Sequence, residues 1–376
     1  MSRVGGQLAV GQRREPDRLG VYFIDAEGVL CELRWDEAER GGAGGALWRR
    51  AALPRGDGLP FGTLDHPPGS LATGYQRAED RLEVFAVDRD GMLRVFTAHG
   101  ERHWESDVVP EAVGIPPGAC LATGFERDHD DGRGRGESVL LDVFTTGRAG
   151  QPLIYQVDAD GKWRAGQLPY DAPLPYGANL ATGYRSGRRL LTVFAVDREG
   201  SLVCMAQSAE GKWRADSALS GEAGGAPLPP GAPLAVGYPD GGEPSVFVVD
   251  QSGRLREFQQ ERSGRWADRP LPADGMPPLA AVAVGYCERP ELGSRRQLLL
   301  FAIDEVGRLR QYANEPGGGF TVGVVPGGLG LPAGAPLAVG YRDGGARMDV
   351  FVLDRYSQPP LHYSLKDGGW TGPHPV

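Results

Sequence analysis

Five tryptophans recur at one position of a repeated sequence unit: Trp104, Trp163, Trp213, Trp266 and Trp370. Trp48 and Phe320 stand at the same position in two further units. An indole can stack on the apolar face of a sugar ring or on another flat ligand, and it can equally bury a large area when it packs between structural elements. Both interpretations remain open from the sequence, because the residues that flank each tryptophan differ from unit to unit.

Arginines form a second candidate set, and they gather after the first short strand of the units. They are Arg13, Arg14, Arg77, Arg127, Arg185, Arg289 and Arg342. If the loops open on one rim, these guanidinium groups would form a ring of donors for an acidic or polyhydroxylated ligand. Acidic neighbours such as Glu15 and Asp343 support the alternative of an ordinary solvated surface. The predicted ligand-binding residues are the five tryptophans with Arg77, Arg127, Arg185 and Arg342.

Other chemistry has little support in the sequence. The six histidines share no repeat position, and His99 and His103 flank one hairpin without a visible third metal ligand. The acidic insertion around Asp128 and Asp131 lacks the spacing of a calcium loop. No nucleotide-binding, metalloprotease or nucleophile-elbow motif is present. We therefore predict no cofactor, no metal and no catalytic residue, while a propeller enzyme that works at its central channel remains an alternative.

These candidates belong to a unit that recurs seven times. Its opening strand, LAVG or LATG in most units, begins at Leu8, Leu71, Leu121, Leu180, Leu234, Val282 and Leu337. A second apolar run then carries an aromatic, and a third run precedes the closing Trp or Phe. Alternation in GRLREFQQ and GMLRVFTA is typical of half-buried strands. The sequence therefore predicts an all-β, seven-bladed β-propeller with four antiparallel strands per blade.

The second and third strands should meet in tight turns. In six units an Asp closes the second run, and five of these turns have Gly three residues later, as in DRDG and DEVG. The Asp can bond the turn backbone, and Gly accepts the positive φ that such a turn needs. We expect all seven turns on one rim and, from their own residues, an acidic rim. The expected domain is a single propeller over 1–376, with blades starting near 7, 70, 120, 179, 233, 281 and 336. The stretch from Trp35 to Arg40 is the one candidate for a short helix.

Composition limits the partners. The 376 residues include 58 Gly and 31 Pro, which recur between the apolar runs, and the formal net charge is -9. An acidic chain is a poor candidate for nucleic-acid binding. The four cysteines lie in four different units and predict free thiols. We find no secretory leader and no membrane-spanning run, so we expect no membrane insertion. The expected location is the cytoplasm, or outside the cell after release without a leader peptide.

The repeat resembles known lectins. The run RLEVFAVDRDGMLRVF, followed by HWES, resembles the repeat of bacterial seven-bladed lectins of the Photorhabdus type. GVYFIDAEGVLCELRWD looks like a blade of the fungal fucose-binding lectins of the Aleuria type. The resemblance implies sugar sites between neighbouring blades, without a cofactor. The expected partner is therefore a glycan or another small polyhydroxylated ligand, and the alternative is a scaffold that binds a protein partner.

The fungal pattern implies a Glu on the third strand and an Arg twelve residues earlier. Glu32 and Glu257 occupy the Glu position, but Gly20 and Ser245 stand where the Arg is expected. We place Val95, Tyr155, Cys204, Gln311 and Tyr363 at the Glu position of the other units. No unit carries the complete pair, so the pattern implies the scaffold more strongly than it implies fucose.

Overall fold

The computed structural model describes residues 8–13, 18–36, 47–60, 70–76, 81–99, 103–127, 139–157, 161–185, 190–208, 210–216, 226–239, 243–261, 265–289, 295–353 and 359–375. Within them, 28 strands form seven sheets of four, and each sheet is built from four consecutive antiparallel strands. The described helical structure is a single 3-10 turn, Asp343–Gly345. The predicted seven-bladed β-propeller is confirmed.

Blades 1 to 4 contain the first sixteen strands. Blade 1 has β1 (Leu8–Arg13), β2 (Arg18–Ile24), β3 (Leu30–Asp36) and β4 (Leu47–Ala52). Blade 2 has β5 (Leu71–Gln76), β6 (Arg81–Val87), β7 (Leu93–His99) and β8 (His103–Val108). Blade 3 has β9 (Ala122–Arg127), β10 (Val139–Thr146), β11 (Pro152–Val157) and β12 (Trp163–Gln167). Blade 4 has β13 (Leu180–Arg185), β14 (Leu190–Val196), β15 (Leu202–Gln207) and β16 (Trp213–Asp216).

Blades 5 to 7 contain the other twelve. Blade 5 has β17 (Leu234–Gly237), β18 (Ser245–Val249), β19 (Leu255–Gln260) and β20 (Trp266–Pro270). Blade 6 has β21 (Ala283–Arg289), β22 (Arg295–Ile303), β23 (Leu309–Asn314) and β24 (Phe320–Val324). Blade 7 has β25 (Leu337–Arg342), β26 (Arg347–Val352), β27 (Leu361–Lys366) and β28 (Gly369–Pro375). Trp35 and Asp36 belong to β3, so the start of the expected helix is wrong, and the rest of it lies outside the described residues.

The hydrophobic core is divided among the interfaces between blades. The second strand of each blade is buried on both faces, and one apolar cluster lies between each pair of neighbours. The inner strands contact one another around the axis, and β1 lies against β25. The ring therefore closes by side-chain packing, as Phe351 of blade 7 joins Leu8 and Val21 of blade 1 in one cluster. Within the described residues, blade 1 and blade 7 each consist of four strands that are consecutive in the chain.

Hydrogen bonds link neighbouring blades around the channel. The hydroxyl of Tyr184 accepts the backbone N–H of Phe125 in the preceding blade at 2.7 Å. Tyr238, Tyr286 and Tyr341 repeat this contact, each to the tyrosine of the blade before. Burial raises the pKa of Tyr286 to about 12, so this hydroxyl is neutral at ordinary pH. The aromatic after the opening strand thus joins blades 3 to 7.

The second-to-third-strand turns have the predicted geometry. The Asp88 carboxylate accepts the backbone N–H groups of Asp90 and Met92, and Gly91 has a φ of 78°. The Gly91 carbonyl in turn accepts the N–H of Ile115, which lies in the linker to the next blade. Five other turns make the same bond to their linkers, which places the described turns and linkers together on one rim. The seventh turn, 354–358, lies outside the described residues.

Charge on this turn rim is partly balanced from outside the turns. Four of the aspartates that close the second runs form ion pairs with arginines of their own blades. The pairs are Arg50–Asp25, Arg94–Asp88, Arg256–Asp250 at 4.0 Å, and Arg308 and Arg310 with Asp304. The negative charge counted on the turn residues alone therefore overstates the acidity of the turn rim.

Candidate ligand sites between the blades

The closing aromatic of each blade lies edge-on against the second-strand aromatic of the blade before it. Ring centroids are between 5.3 and 6.0 Å apart, at interplanar angles of 70–89°. The pairs are Trp104–Tyr22, Trp163–Phe85, Trp213–Phe144, Trp266–Phe194, Phe320–Phe247, Trp370–Phe301 and Trp48–Phe351. Edge-to-face pairs of this kind stabilise a fold beyond the area they bury. The aromatic series therefore holds neighbouring blades together.

The same rings are not enclosed. All seven closing aromatics are half-buried, while their partners on the second strands are fully buried. Part of each ring therefore borders the outer end of an interface. Packing against the preceding blade and contact with a ligand are compatible at these positions.

Polar groups lie in the same interfaces. The residue two positions before each second-strand aromatic faces the same side of the sheet, because side chains alternate along a strand. These residues are Gly20, Glu83, Asp142, Thr192, Ser245, Leu299 and Asp349. Five of the seven are polar, and all five are buried. Asp142 accepts from Gln156 Nε2 at 2.9 Å, and Ser245 donates to Glu257 at 2.8 Å.

Strand register corrects the third-strand positions in two blades. Phe85 pairs with Val95, and Phe247 pairs with Glu257, as expected. In blade 3, however, Phe144 pairs with Ile154, so the assignment of Tyr155 is wrong by one residue. In blade 7, Phe351 pairs with His362, and the assignment of Tyr363 is wrong in the same way. The cause is a proline: Pro152 and Pro360 stand where the other blades have the first Leu of the third strand.

The predicted arginine ring separates into different environments. Arg342 is only 4% exposed and lies between blades 7 and 1, not on a solvated loop. Arg185 is half-buried in blade 4, with its guanidinium 3.6 Å from Cys204 Sγ. Arg77 lies outside the described residues, and Arg127 is described only through its backbone pairing with Val139. The two arginines with described side chains thus point into blades or interfaces.

Blade 7 carries a buried cluster of charged side chains. Arg342 donates two hydrogen bonds to Asp349, at 2.5 Å from Nε and 2.8 Å from Nη2. His362 Nε2 lies 2.7 Å from Asp349 Oδ1. Burial alone would raise the pKa of the Asp349 carboxyl, but these hydrogen bonds and the charge of Arg342 outweigh it and hold that pKa below its usual range. Asp349 is therefore ionised, and both of its oxygens are in contact with partners of the same blade.

Blade 1 covers this cluster with two tryptophans. The Arg342 guanidinium lies over the Trp35 ring at 4.0 Å, and it is 5.5 Å from the Trp48 ring. Trp35 and Trp48 are cross-strand partners with ring centroids 5.2 Å apart. The sequence analysis missed Trp35 because it stands outside the repeated tryptophan position. The sequence does contain a signal for Trp35, because the last residues of the run GVLCELRW continue the alternation of apolar and polar residues in β3.

The other chemical candidates of the sequence have different outcomes. His99 and His103 both lie beside the exposed Glu105, at 3.4 and 3.2 Å. The part of the chain that the structure describes contains no group of three or more His, Cys, Asp or Glu with the arrangement of a metal site. The acidic insertion after Arg127 lies outside the described residues. The four cysteines are thiols and form no disulfide with one another.

Comparisons with known proteins agree with this architecture. The fold is a seven-bladed β-propeller, and the solved structures similar to it include lectins, one of which is described as a β-propeller. One is the BP39L lectin from Burkholderia pseudomallei, which is 27% identical over 99% of both chains with a TM-score of 0.80. The expected likeness to propeller lectins is thereby confirmed.

Two fungal structures are more distant. AofleA from Arthrobotrys oligospora is 13% identical, covers 81% of this chain and 85% of its own, and has a TM-score of 0.56. The lectin from Aleuria aurantia, described as a six-bladed propeller with fucose recognition, is 14% identical over 80% of this chain and 92% of its own, with a TM-score of 0.53. At these identities the likeness concerns the fold alone. No protein-family model and no curated protein matches the chain.

Proposed function

We propose that this propeller binds carbohydrate in pockets between neighbouring blades. The observation that carries the proposal is the repeated placement of a half-buried closing aromatic, in most blades a tryptophan, beside buried polar side chains of the preceding blade. Sugar rings need an aromatic face for their apolar side and hydrogen-bonding groups for their hydroxyls. The likeness to BP39L over nearly the whole chain supports the same function.

The interfaces are not equivalent. Between blades 3 and 4, Trp213 shares the interface with Asp142 and Gln156. Between blades 5 and 6 the closing aromatic is Phe320, and between blades 6 and 7 Gln311 accepts from the Trp370 indole at 2.8 Å. We therefore expect fewer working sites than blades, with different sugar preferences. The glycan sites of this proposal include Trp104, Trp163, Trp213, Trp266 and Trp370.

The alternative of a protein-binding scaffold has weaker support. It would need one contiguous apolar patch on a rim. In the described ranges the most exposed large apolar residues of the turn rim are Val113, Tyr176, Val306 and Leu329, at 57–68% exposure. They belong to three separate parts of the ring, since only Val306 and Leu329 come from the same blade and its linker. Each of these groups is small for a docking surface. No helix in the described chain is long and apolar enough to span a membrane.

A glycan array with labelled protein, followed by calorimetry on the best ligands, tests the proposal. We expect binding to a defined group of sugars and a stoichiometry above one sugar per chain. Binding to no glycan above background, together with a melting temperature that no sugar raises, would refute it. A separate experiment tests where the protein is located. Detection of the protein in the culture medium before cell lysis would favour release over a cytoplasmic location.

A further inference from the structure

The interface between blades 7 and 1 contains buried hydrogen-bond donors without acceptors. Arg342 Nη1, Trp35 Nε1 and Trp48 Nε1 are all buried and lack a partner in the described structure. Arg342 itself is 4% exposed, and its charged group is held against both indoles. A buried donor left unpaired destabilises a fold, and a charged donor does so more strongly than a neutral one. Three such donors in one place would suit a ligand group that accepts hydrogen bonds.

The carboxylate of the cluster is not that partner. Asp349 already accepts from Nε and Nη2 of Arg342 and lies 2.7 Å from His362 Nε2. A site for a neutral sugar normally needs acceptors as well as donors, because each hydroxyl both donates and accepts. Here both oxygens of Asp349 are bonded within the protein. The unpaired groups are the three N–H donors and the hydroxyl of Ser364, which stands opposite Asp349 and can donate or accept. A ligand group that only accepts fits this set best.

The charges of blade 7 favour the same kind of ligand. Arg342 is the cross-strand partner of Arg347, and Arg347 is the cross-strand partner of Lys366. Like charges directly opposite one another destabilise a sheet. Arg347 pairs with Asp343 at 3.4 Å, but its buried Nε has no acceptor. A row of three basic residues therefore crosses three strands of blade 7 and includes the residue that faces the tryptophans.

This row distinguishes blade 7 from blade 4, where the side chain of the arginine at the same position is also described. In blade 4, Arg185 is paired with Leu190, and no second basic residue stands opposite it. A tryptophan opposite the closing tryptophan also distinguishes blade 1 from blades 3 and 4. The residue opposite Trp213 is Gln207, and the residue opposite Trp163 is Val157. Trp35 thus adds to blade 1 a ring and a donor that these two blades lack.

We infer that the interface between blades 7 and 1 is a site for an acidic saccharide, whose carboxylate or sulfate accepts from Arg342, Trp35 and Trp48. A guanidinium and two indole N–H groups supply the donors, and the basic row supplies the attraction for the anion. Contacts with the indole rings of Trp35 and Trp48 would hold the sugar ring. This inference rests on the proposed carbohydrate binding and assigns a ligand class to one interface.

Indole N–H signals in nitrogen-15 correlation spectra provide the test, because the seven tryptophans give separate probes. Trp35→Phe and Trp48→Phe each remove one signal and so assign it. Three probes are added in turn: methyl glucuronide, glucose 6-sulfate and neutral methyl glucoside. We expect the Trp35 and Trp48 signals to shift with one or both acidic sugars and not with the neutral one. The two acidic probes distinguish a carboxylate ligand from a sulfate ligand.

The variants then measure the donors. Trp35→Phe keeps a ring beneath Arg342 but removes the indole N–H, and a hydrogen bond to a charged ligand corresponds to about a tenfold or greater change in affinity. Trp213→Phe is the matched control at another interface and should leave binding of the acidic sugar unchanged. Equal loss in Trp35→Phe and Trp213→Phe would overturn the assignment to this interface.

The outcomes separate this inference from the proposed function. If sugars shift the signals of Trp104, Trp163, Trp213, Trp266 or Trp370 while those of Trp35 and Trp48 respond to no acidic probe, carbohydrate binding stands and the acidic site is wrong. If the neutral and acidic sugars shift Trp35 and Trp48 equally, the site exists but the inferred ligand class is wrong. If no indole responds to any sugar on the array, both fail.

Discussion

Trp213 packs edge-on against Phe144, with ring centroids 5.6 Å apart and an interplanar angle of 70°. The two residues belong to different blades, and Phe144 is completely buried while Trp213 keeps part of its ring at the surface. This one contact therefore joins a structural function, the cohesion of blades 3 and 4, to a position where a ligand could meet the indole. Each neighbouring pair of blades repeats it.

Substitution of Trp213 by Ala should destabilise the protein by about 3 kcal/mol, at the lower end for buried aromatics because the ring is half-exposed. Trp163→Ala should behave in the same way, since Trp163 contacts Phe85. Equilibrium unfolding in urea measures both. Exposed Tyr176→Ala is the control and should change stability by less than about 0.5 kcal/mol. If the tryptophan variants unfold like the parent, the packing assignment is wrong.

Replacement of Tyr286 by Phe should remove the acceptor for the Tyr238 backbone N–H, which now lies 2.8 Å from the hydroxyl. A half-buried N–H without a partner costs about 1–3 kcal/mol. We expect faster hydrogen exchange at the Tyr238 amide, with exchange at the Phe125 amide unchanged because Tyr184 serves it. An unaltered rate at Tyr238 would show that this hydroxyl does not hold the neighbouring blade.

Gly307→Ala tests the contact between a turn and its linker. Gly307 has a φ of 78°, and a Cβ there would lie 2.3 Å from the backbone oxygen of Leu331. Gly330 is the matched control, because its φ is 75° and a Cβ would meet nothing within 4 Å. A left-handed Ala costs about 1 kcal/mol, so we expect about that for Gly330→Ala and clearly more for Gly307→Ala. Equal losses in thermal unfolding would contradict the proposed clash.

Stability should depend on pH through Asp304. Burial alone would raise the pKa of this carboxyl, but the backbone N–H of Arg308 and the side chains of Arg308 and Arg310 outweigh burial and lower it. The folded pKa is thus below the unfolded value of about 3.9. The stabilisation is complete above about pH 4 and is lost as the pH falls through the lower folded pKa.

Asp304→Asn should therefore be less stable than the parent at pH 7, by about 1–3 kcal/mol, and the difference should shrink as the pH falls below 4. Urea unfolding between pH 7 and pH 2.5 measures it. Glu305→Gln changes an exposed carboxylate of the same turn and serves as the control. A difference that stays constant over this range would mean that the ion pairs contribute nothing.

Local features were predictable because their causes are local. The Asp and Gly of a turn such as DRDG lie within four residues of one another, and the Asp88 carboxylate bonds to backbone N–H groups of the same turn. Alternation within a run likewise identifies a strand. The seven inner strands could be counted for the same reason, so the blade number and strand order followed from the sequence.

The register of the third strand was predicted wrongly in blades 3 and 7, where the first Leu of that strand is replaced. Counting from the first Leu placed Tyr155 and Tyr363 opposite the second-strand aromatics, whereas Ile154 and His362 occupy those positions. In both blades a proline stands where the other blades have the first Leu of the third strand. A shift of one residue exchanges the two faces of a strand. His362 could therefore be placed beside Asp349 only from the structure.

The sequence by itself determined the propeller, its seven blades, the turns and the recurrence of the closing tryptophans. The tertiary structure alone decided that these tryptophans face the preceding blade, and that Trp35 and Trp48 meet Arg342. Blade 1 and blade 7 come together only when the ring closes, and their contacting residues are about 300 positions apart in the chain. No spacing or periodicity encodes such a contact, because it depends on the summed geometry of all seven blades.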